Sequence, residues 1–321
     1  MGLIIGGGLM NSGIFPGYEV SPIMRATLVG NDGFLGYIDE NNQLAQVDTP
    51  VVGASYIDSS FLNDSTGYAV AQSGEVVKTV NGGLSWTLAS SLTIGGSGNI
   101  RSIEVAPGGN VFVGGQTGGT ETAIWKSSDG GSTFDLVYSF TTATRPVESF
   151  SFLDSLTGYS VDLVNWLETT DGGDNWSVKL NGTPLSFNDE VGMASSSIGW
   201  AAQESPTNNF IHKTTDGWTT KTNVQLSGDT NGMYVESETQ AWMCGEDAYL
   251  YETTDGTNWS ATQVGDTSTR YYAIHFDDTL SLGGMVGDNS SVYITENSGS
   301  TWSQINVETT GMTFNSIVIK Q

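Results

Sequence analysis

Three of the four arginines, Arg101, Arg145 and Arg270, stand just ahead of short β-prone segments: Ser-Ile-Glu-Val, Pro-Val-Glu-Ser-Phe and Tyr-Tyr-Ala-Ile-His-Phe. Guanidinium groups gathered at one place would grip a carboxylate or phosphate through paired, charge-assisted hydrogen bonds. Their setting is acidic: 35 Asp and Glu stand against 10 Lys and Arg, a formal charge of −25. A local acid such as Glu104 or Glu148 therefore competes for each arginine. The same imbalance excludes a nucleic-acid or anionic-membrane surface, because a phosphate lattice needs a basic footprint. One cysteine, Cys244, allows no internal disulfide or thiolate cluster, and two histidines, His212 and His275, leave little material for zinc. Neither cofactor nor metal is expected. Cys244, in Trp-Met-Cys-Gly, reads as a small buried hydrophobe.

A second group of polar residues recurs at fixed spacing. Octapeptides of the type Thr169-Thr-Asp-Gly-Gly-Asp-Asn-Trp176 begin at positions 79, 127, 169 and 295, with degenerate copies at 214 and 253; the latter is one residue short and the former has its Trp displaced. Successive starts lie 48, 42, 45, 39 and 42 residues apart, so they mark one repeating unit. Each carries an acidic or amide residue at its third position: Asn81, Asp129, Asp171, Asp216, Asp255 and Asn297. The glycine pair supplies the positive φ of a tight hairpin, and the Asp or Asn accepts bonds from the turn's own N–H groups. These acids read as turn staples, since they lack the ligand density and closing Glu of a calcium loop.

The elements that carry the turns are short and alternating. Val147-Glu-Ser-Phe-Ser-Phe-Leu153, then Tyr159-Ser-Val161, Asn165-Trp-Leu-Glu168 and Trp176-Ser-Val178 give four strands per unit, with no long window of helical period. Six octapeptides define six such units, at about 52–88, 99–138, 147–180, 189–226, 231–264 and 270–307. Two fragments remain. Arg25–Val29, Gly33–Ile38 and Gln43–Val47 form a unit without its first strand, and Met312–Lys320 is a first strand without a unit. Together they predict an all-β, seven-bladed β-propeller over residues 24–321, closed by pairing of the C-terminal strand with the N-terminal blade. In such a ring Arg101, Arg145 and Arg270 fall near one rim of the central channel, and His275 falls at a blade interface. Residues 1–23 are apolar, Gly-rich and outside the repeat, and are assigned to an arm.

The octapeptide resembles the Asp-box, or BNR repeat, of sialidases and related propellers. The longer unit, Phe150-Ser-Phe-Leu-Asp154 through Gly158-Tyr159 to Trp176, is similar to the repeat of photosystem II assembly/stability factor-like proteins. The resemblance covers about residues 24–320 and implies the propeller fold, with Asp-box turns lying away from the ligand site. The photosystem factor family also carries an arginine patch on one face, which implies a binding role for the rim. A sialidase would need three convergent arginines, a Tyr–Glu pair and an Asp. Arg145-Pro146 lacks the middle residue of the Arg-Ile-Pro element and sits in mid-chain. Xyloglucan-cleaving relatives set their carboxylates between two tandem propellers, and this chain has one. Catalysis is not expected.

The composition, rich in Ser, Thr, Asn and Gly and poor in Lys, together with a start that lacks a basic signal-peptide region, suggests a non-catalytic structural or attachment protein. The expectation is a virion component, such as a phage tail or capsid spike, synthesised in the cytoplasm and built into an extracellular particle. The arm would join other subunits of the particle, and the rim would meet a host-surface glycan or protein. No membrane insertion is expected. The alternative is an assembly or scaffolding factor that binds a protein partner on one propeller face, and a sialidase-like hydrolase stands behind both. Trp125, Trp166 and Trp218 lie outside the closing position of the octapeptide; their exposure would favour a glycan.

Overall fold

Apolar and polar residues alternate over four to seven positions and are then broken by Gly, Asp, Asn or Ser, so the chain forms strands and tight turns in place of helices. In the computed structural model the described residues are 22–320, apart from 97, 120, 142–145, 163–164, 182–186, 205–208 and 309. They form twenty-eight strands, β1–β28 in chain order, and one 3-10 turn at Glu246–Ala248. No helix among them is long and apolar enough to cross a membrane.

The strands make seven four-stranded antiparallel sheets, which are the blades of a β-propeller. Six blades are consecutive meanders. The first is composite: β1 (Met24–Gly30), β2 (Leu35–Asp39) and β3 (Leu44–Gln46) are completed by β28 (Phe314–Ile319). Here β28 runs antiparallel to β1, with Ala26 opposite Ile319 and Leu28 opposite Ile317. Ring closure by the C-terminal strand is thus the observed topology, and it pairs the inner edge of β1. Of the expected arm only Pro22 and Ile23 belong to the described residues, so the arm lies outside them.

A blade is too thin to hold a core of its own, so its apolar face is buried against its neighbours. Seven hydrophobic clusters result among the described residues, one at each interface between blades. At the closure, Leu28, Phe34 and Phe314 of the first blade pack on Val286 and Ile294 of the seventh. Between the fourth and fifth blades, Trp166 and Val161 meet Val191 and Trp218.

The octapeptide turns share one hydrogen-bond pattern. In the turn after β14 (Asn165–Thr169), Thr169 Oγ1 accepts the Gly173 N–H at 2.9 Å and donates to Asp171 at 2.9 Å, while Asp171 accepts the Asn175 N–H at 3.0 Å. Thr79 with Asn81, Ser127 with Asp129, Thr214 with Asp216 and Thr295 with Asn297 repeat it. Thr253 and Asp255 keep the side-chain bond in the shorter copy. The displaced tryptophan has a physical place. Trp218 occupies the position of the second glycine, with φ +64°, and its N–H reaches Thr214 Oγ1 at 2.8 Å. Its side chain is fully buried and stacks on Trp166, 5.4 Å between centroids, which offsets the left-handed backbone.

Candidate binding surface at the channel mouth

The innermost strands are β4 (Tyr56–Phe61), β8 (Asn99–Val105), β12 (Val147–Phe152), β16 (Phe187–Met193), β20 (Thr230–Val235), β24 (Tyr271–Phe276) and β28. All seven carry a β-bulge at the same register, between Tyr56 and Asp58, Ile100 and Ser102, Val147 and Ser149, Asn188 and Glu190, Thr230 and Gly232, Tyr271 and Ala273, and Phe314 and Ser316. A bulge inserts one unpaired residue and bends its strand. The inserted residues form a ring at one end of the channel that includes Ile57, Arg101, Glu148, Asn231, Tyr272 and Asn315.

Beyond the bulge, the free edge of each innermost strand must satisfy its N–H groups. Side chains from the preceding blade do this at matching positions. Ser316 Oγ accepts from Ser59 N–H (3.3 Å), Asp58 Oδ2 from Ile103 (2.9 Å) and Ser60 Oγ from Val105 (3.1 Å). Ser149 Oγ accepts from Val191 (3.4 Å), Ser151 Oγ from Met193 (3.0 Å) and His275 Nδ1 from Ile319 (3.3 Å). His275 therefore lies at a blade interface, its Nδ1 free of a proton. Burial, reinforced by the charge of Lys320, lowers its pKa to about 4.

The channel encloses about 340 Å3 and is lined by Asp58, Glu104, Glu148 and Glu190, which come from four successive innermost strands. Burial pushes Asp58 up to about 6 against the bonds from Ile103 and Ser59. Burial also pushes Glu104 up to about 8, with the charge of Asp58 adding to it and the Ser60 hydroxyl opposing it. Ser149 Oγ donates to Glu190 at 2.6 Å. Such a lining accepts hydrogen bonds and favours cationic or donor-rich groups. No group of three His, Cys, Asp or Glu among the described residues is placed to hold a metal ion.

The two described rim candidates, Arg101 and Arg270, do not share one position. Arg101 is the bulge residue of β8, its side chain 41% exposed, and its Nε lies 3.5 Å from Glu148 on the next bulge. Arg270 precedes β24 and forms an ion pair with Glu246. Arg145 lies outside the described residues. Local acids take both described members, Glu148 for Arg101 and Glu246 for Arg270. The remaining arginine, Arg25, pairs with Glu296. Trp125, Trp166 and Trp218 are buried, at 6%, 1% and 0% exposure, so they offer no stacking platform to a glycan. Cys244 is fully buried, and burial holds its thiol far above the usual range. The bulges and the acidic lining escaped the sequence reading; only the acids within four of the first strands, such as Asp58, Glu104, Glu148 and Glu190, hinted at them.

No protein-family model matches the chain, and no curated protein matches it. Solved structures do. YCF48 bound to D1 peptide aligns at TM-score 0.63 and 14% identity, over 91% of this chain and 88% of that one. YCF48 from Cyanidioschyzon merolae aligns at TM-score 0.63 and 13% identity, over 86% and 92%. A protein from Lactobacillus plantarum aligns at TM-score 0.67 and 11% identity, over 93% and 100%. At these identities the likeness is one of fold.

Proposed function

We propose that this chain is a non-catalytic propeller that binds a protein partner, taking an extended segment across the channel mouth ringed by the seven bulges. The observation that carries the reading is the bulge ring itself. The same irregularity in every innermost strand sets Arg101, Glu148, Asn231, Tyr272 and Asn315 around one opening above an acceptor-rich channel. Mixed charge, amide and phenol groups around a cleft suit a peptide backbone and its polar side chains. The YCF48 structure bound to D1 peptide supports partner binding on this fold. The particle-subunit and glycan readings rest on composition alone, and the buried tryptophans count against the second.

Selection of peptides from a random displayed library on the immobilised full chain tests the proposal. Selected peptides should lose at least tenfold in affinity with Arg101→Glu or Tyr272→Ala, and keep it with Leu156→Ser, an exposed position on a loop between strands. Peptides indifferent to both rim substitutions would refute the mouth as the site. Turnover of an oligosaccharide panel would refute the non-catalytic reading.

A further inference from the structure

The outer part of the groove between the fourth and fifth blades holds a polar cluster unrelated to the channel. His212 on β18 (Phe210–Thr214) is 1% exposed, and its two ring nitrogens face different partners. Nδ1 lies 2.8 Å from Asn223 Oδ1 on β19 (Thr222–Gln225), and Nε2 lies 3.1 Å from the Nζ of Lys221. An amide oxygen only accepts, so Nδ1 carries the imidazole proton and Nε2 presents its lone pair to the amine. Burial, with the neighbouring Lys221 charge, lowers the His212 pKa to about 4, so the ring stays neutral. Lys221 Nζ also sits 4.3 Å from the centroid of Trp166, whose ring meets His212 edge-on at 5.6 Å.

The other lysines are held differently. Lys126 and Lys179 pair with the carboxylates of Asp174 and Glu168, at 2.6 and 2.9 Å. Lys78 and Lys213 donate to the carbonyls of Gly130 and Gly256. Lys320 is buried. A carboxylate partner locks an amine in its ammonium form, whereas a neutral imidazole accepts from the amine or the ammonium and adds no charge that would retain the proton. Burial lowers the Lys221 pKa to about 8.

We propose that Lys221 is a reactive amine, a site of Nε-acylation by an activated acyl donor of the thioester class, with His212 and Asn223 as its positioning residues. The neutral Nζ attacks the carbonyl carbon of the thioester. The C–N bond forms and the C–S bond breaks, the sulfur leaves with the electron pair, and the surplus proton on nitrogen passes to the thiolate. The product is an amide on Lys221 and a free thiol, with no oxidant or reductant involved. Acylation would remove the cation above Trp166 and change the chemistry of the groove.

The test uses the folded full chain and the acetyl thioester of N-acetylcysteamine at limiting amount, with acetyl-lysine mapped by mass spectrometry over time. Near pH 7 an amine of pKa about 8 has roughly two hundred times more free base than an ordinary lysine. Trp166 covers one side, so Lys221 should label at least tenfold faster than Lys78, Lys126, Lys179 and Lys213. Asn223 is exposed, so Asn223→Ala should leave the melting temperature and the other four rates unchanged and slow Lys221 by at least threefold. His212→Phe keeps a ring in the groove and should slow it further. A wild-type Lys221 that labels no faster than the other four overturns the proposal. A fast Lys221 that is indifferent to both substitutions overturns the role of His212 and Asn223.

Discussion

Deleting residues 312–321 removes β28 and leaves β1 as an unpaired inner edge. The loss can be worked from burial. Phe314, Ile317, Val318 and Ile319 are 0%, 2%, 9% and 4% exposed, and each buried side chain of this size contributes about 1.5–3 kcal/mol. Four of them contribute about 6–12 kcal/mol, comparable to the whole stability of an ordinary domain, about 5–15 kcal/mol. The truncated chain should therefore be largely unfolded or aggregated at ambient temperature, by circular dichroism and light scattering. Phe314→Ala isolates one part. That ring meets Phe34 edge-on at 4.9 Å, and its loss should cost about 3–5 kcal/mol in urea unfolding. A synthetic peptide of residues 310–321 should restore the truncated chain by strand addition. A truncated chain that is monomeric and melts within a few degrees of the intact one would show that the closure is not what holds the ring.

The channel acids set a pH dependence. Asp58 and Glu104 have folded pKa values raised to about 6 and about 8; for such acids the stabilising share is complete below the unfolded value, about 4, and is lost as pH rises through the folded one. Glu104→Gln keeps an acceptor for Ser60 and should raise the melting temperature over wild type at about pH 9, with the gain vanishing near pH 4; a constant difference would refute the assignment. Asp129, Asp171 and Asp255 work in the opposite sense: hydrogen bonds from their own turns hold them at about 2, so their contribution is complete above about pH 4 and lost as pH falls toward 2. Melting temperature should thus peak in the mildly acidic range. Thr169→Val leaves the Gly173 N–H buried without its acceptor, which should cost about 1–3 kcal/mol in urea unfolding. Gly173→Ala forces a methyl group onto the Phe112 ring at φ +81° and should destabilise the protein more than Gly53→Ala, where φ is also positive but the space is open.

The repeat made the architecture legible because each octapeptide must solve the same hairpin problem, and the two incomplete fragments fitted each other. Register within the strands was harder to read. The bulge in β8 places Arg101 beside Glu148, and nothing in Ile-Arg-Ser-Ile-Glu marks where the pairing slips; that shift is set by neighbouring blades. Arg101 and Arg270 looked equivalent because both stand near the start of a first strand, yet one is the inserted residue and the other precedes the strand. The cluster of His212, Lys221 and Asn223 was invisible for another reason. Its members are separated by an eight-residue hairpin and meet only when β18 and β19 pair, under a tryptophan from the preceding blade.

Along the inner edges the side chains of one blade bond the strand of the next, accepting from its N–H groups, as Asp58 does from Ile103, and donating to its carbonyls, as Asn231 does to Tyr271. Every interface is therefore head-to-tail, with unlike surfaces in contact, as in a cyclic assembly of separate subunits. If the closing strand detaches, the molecule becomes an arc with complementary ends. The β28 of one copy can then complete the first blade of another, giving chains of exchanged propellers. What favours the closed form is the high effective concentration of a strand tethered to its own acceptor, on the order of millimolar for a short flexible link. The ring and the filament are two outcomes of one interface, separated by protein concentration and the lifetime of the open seam.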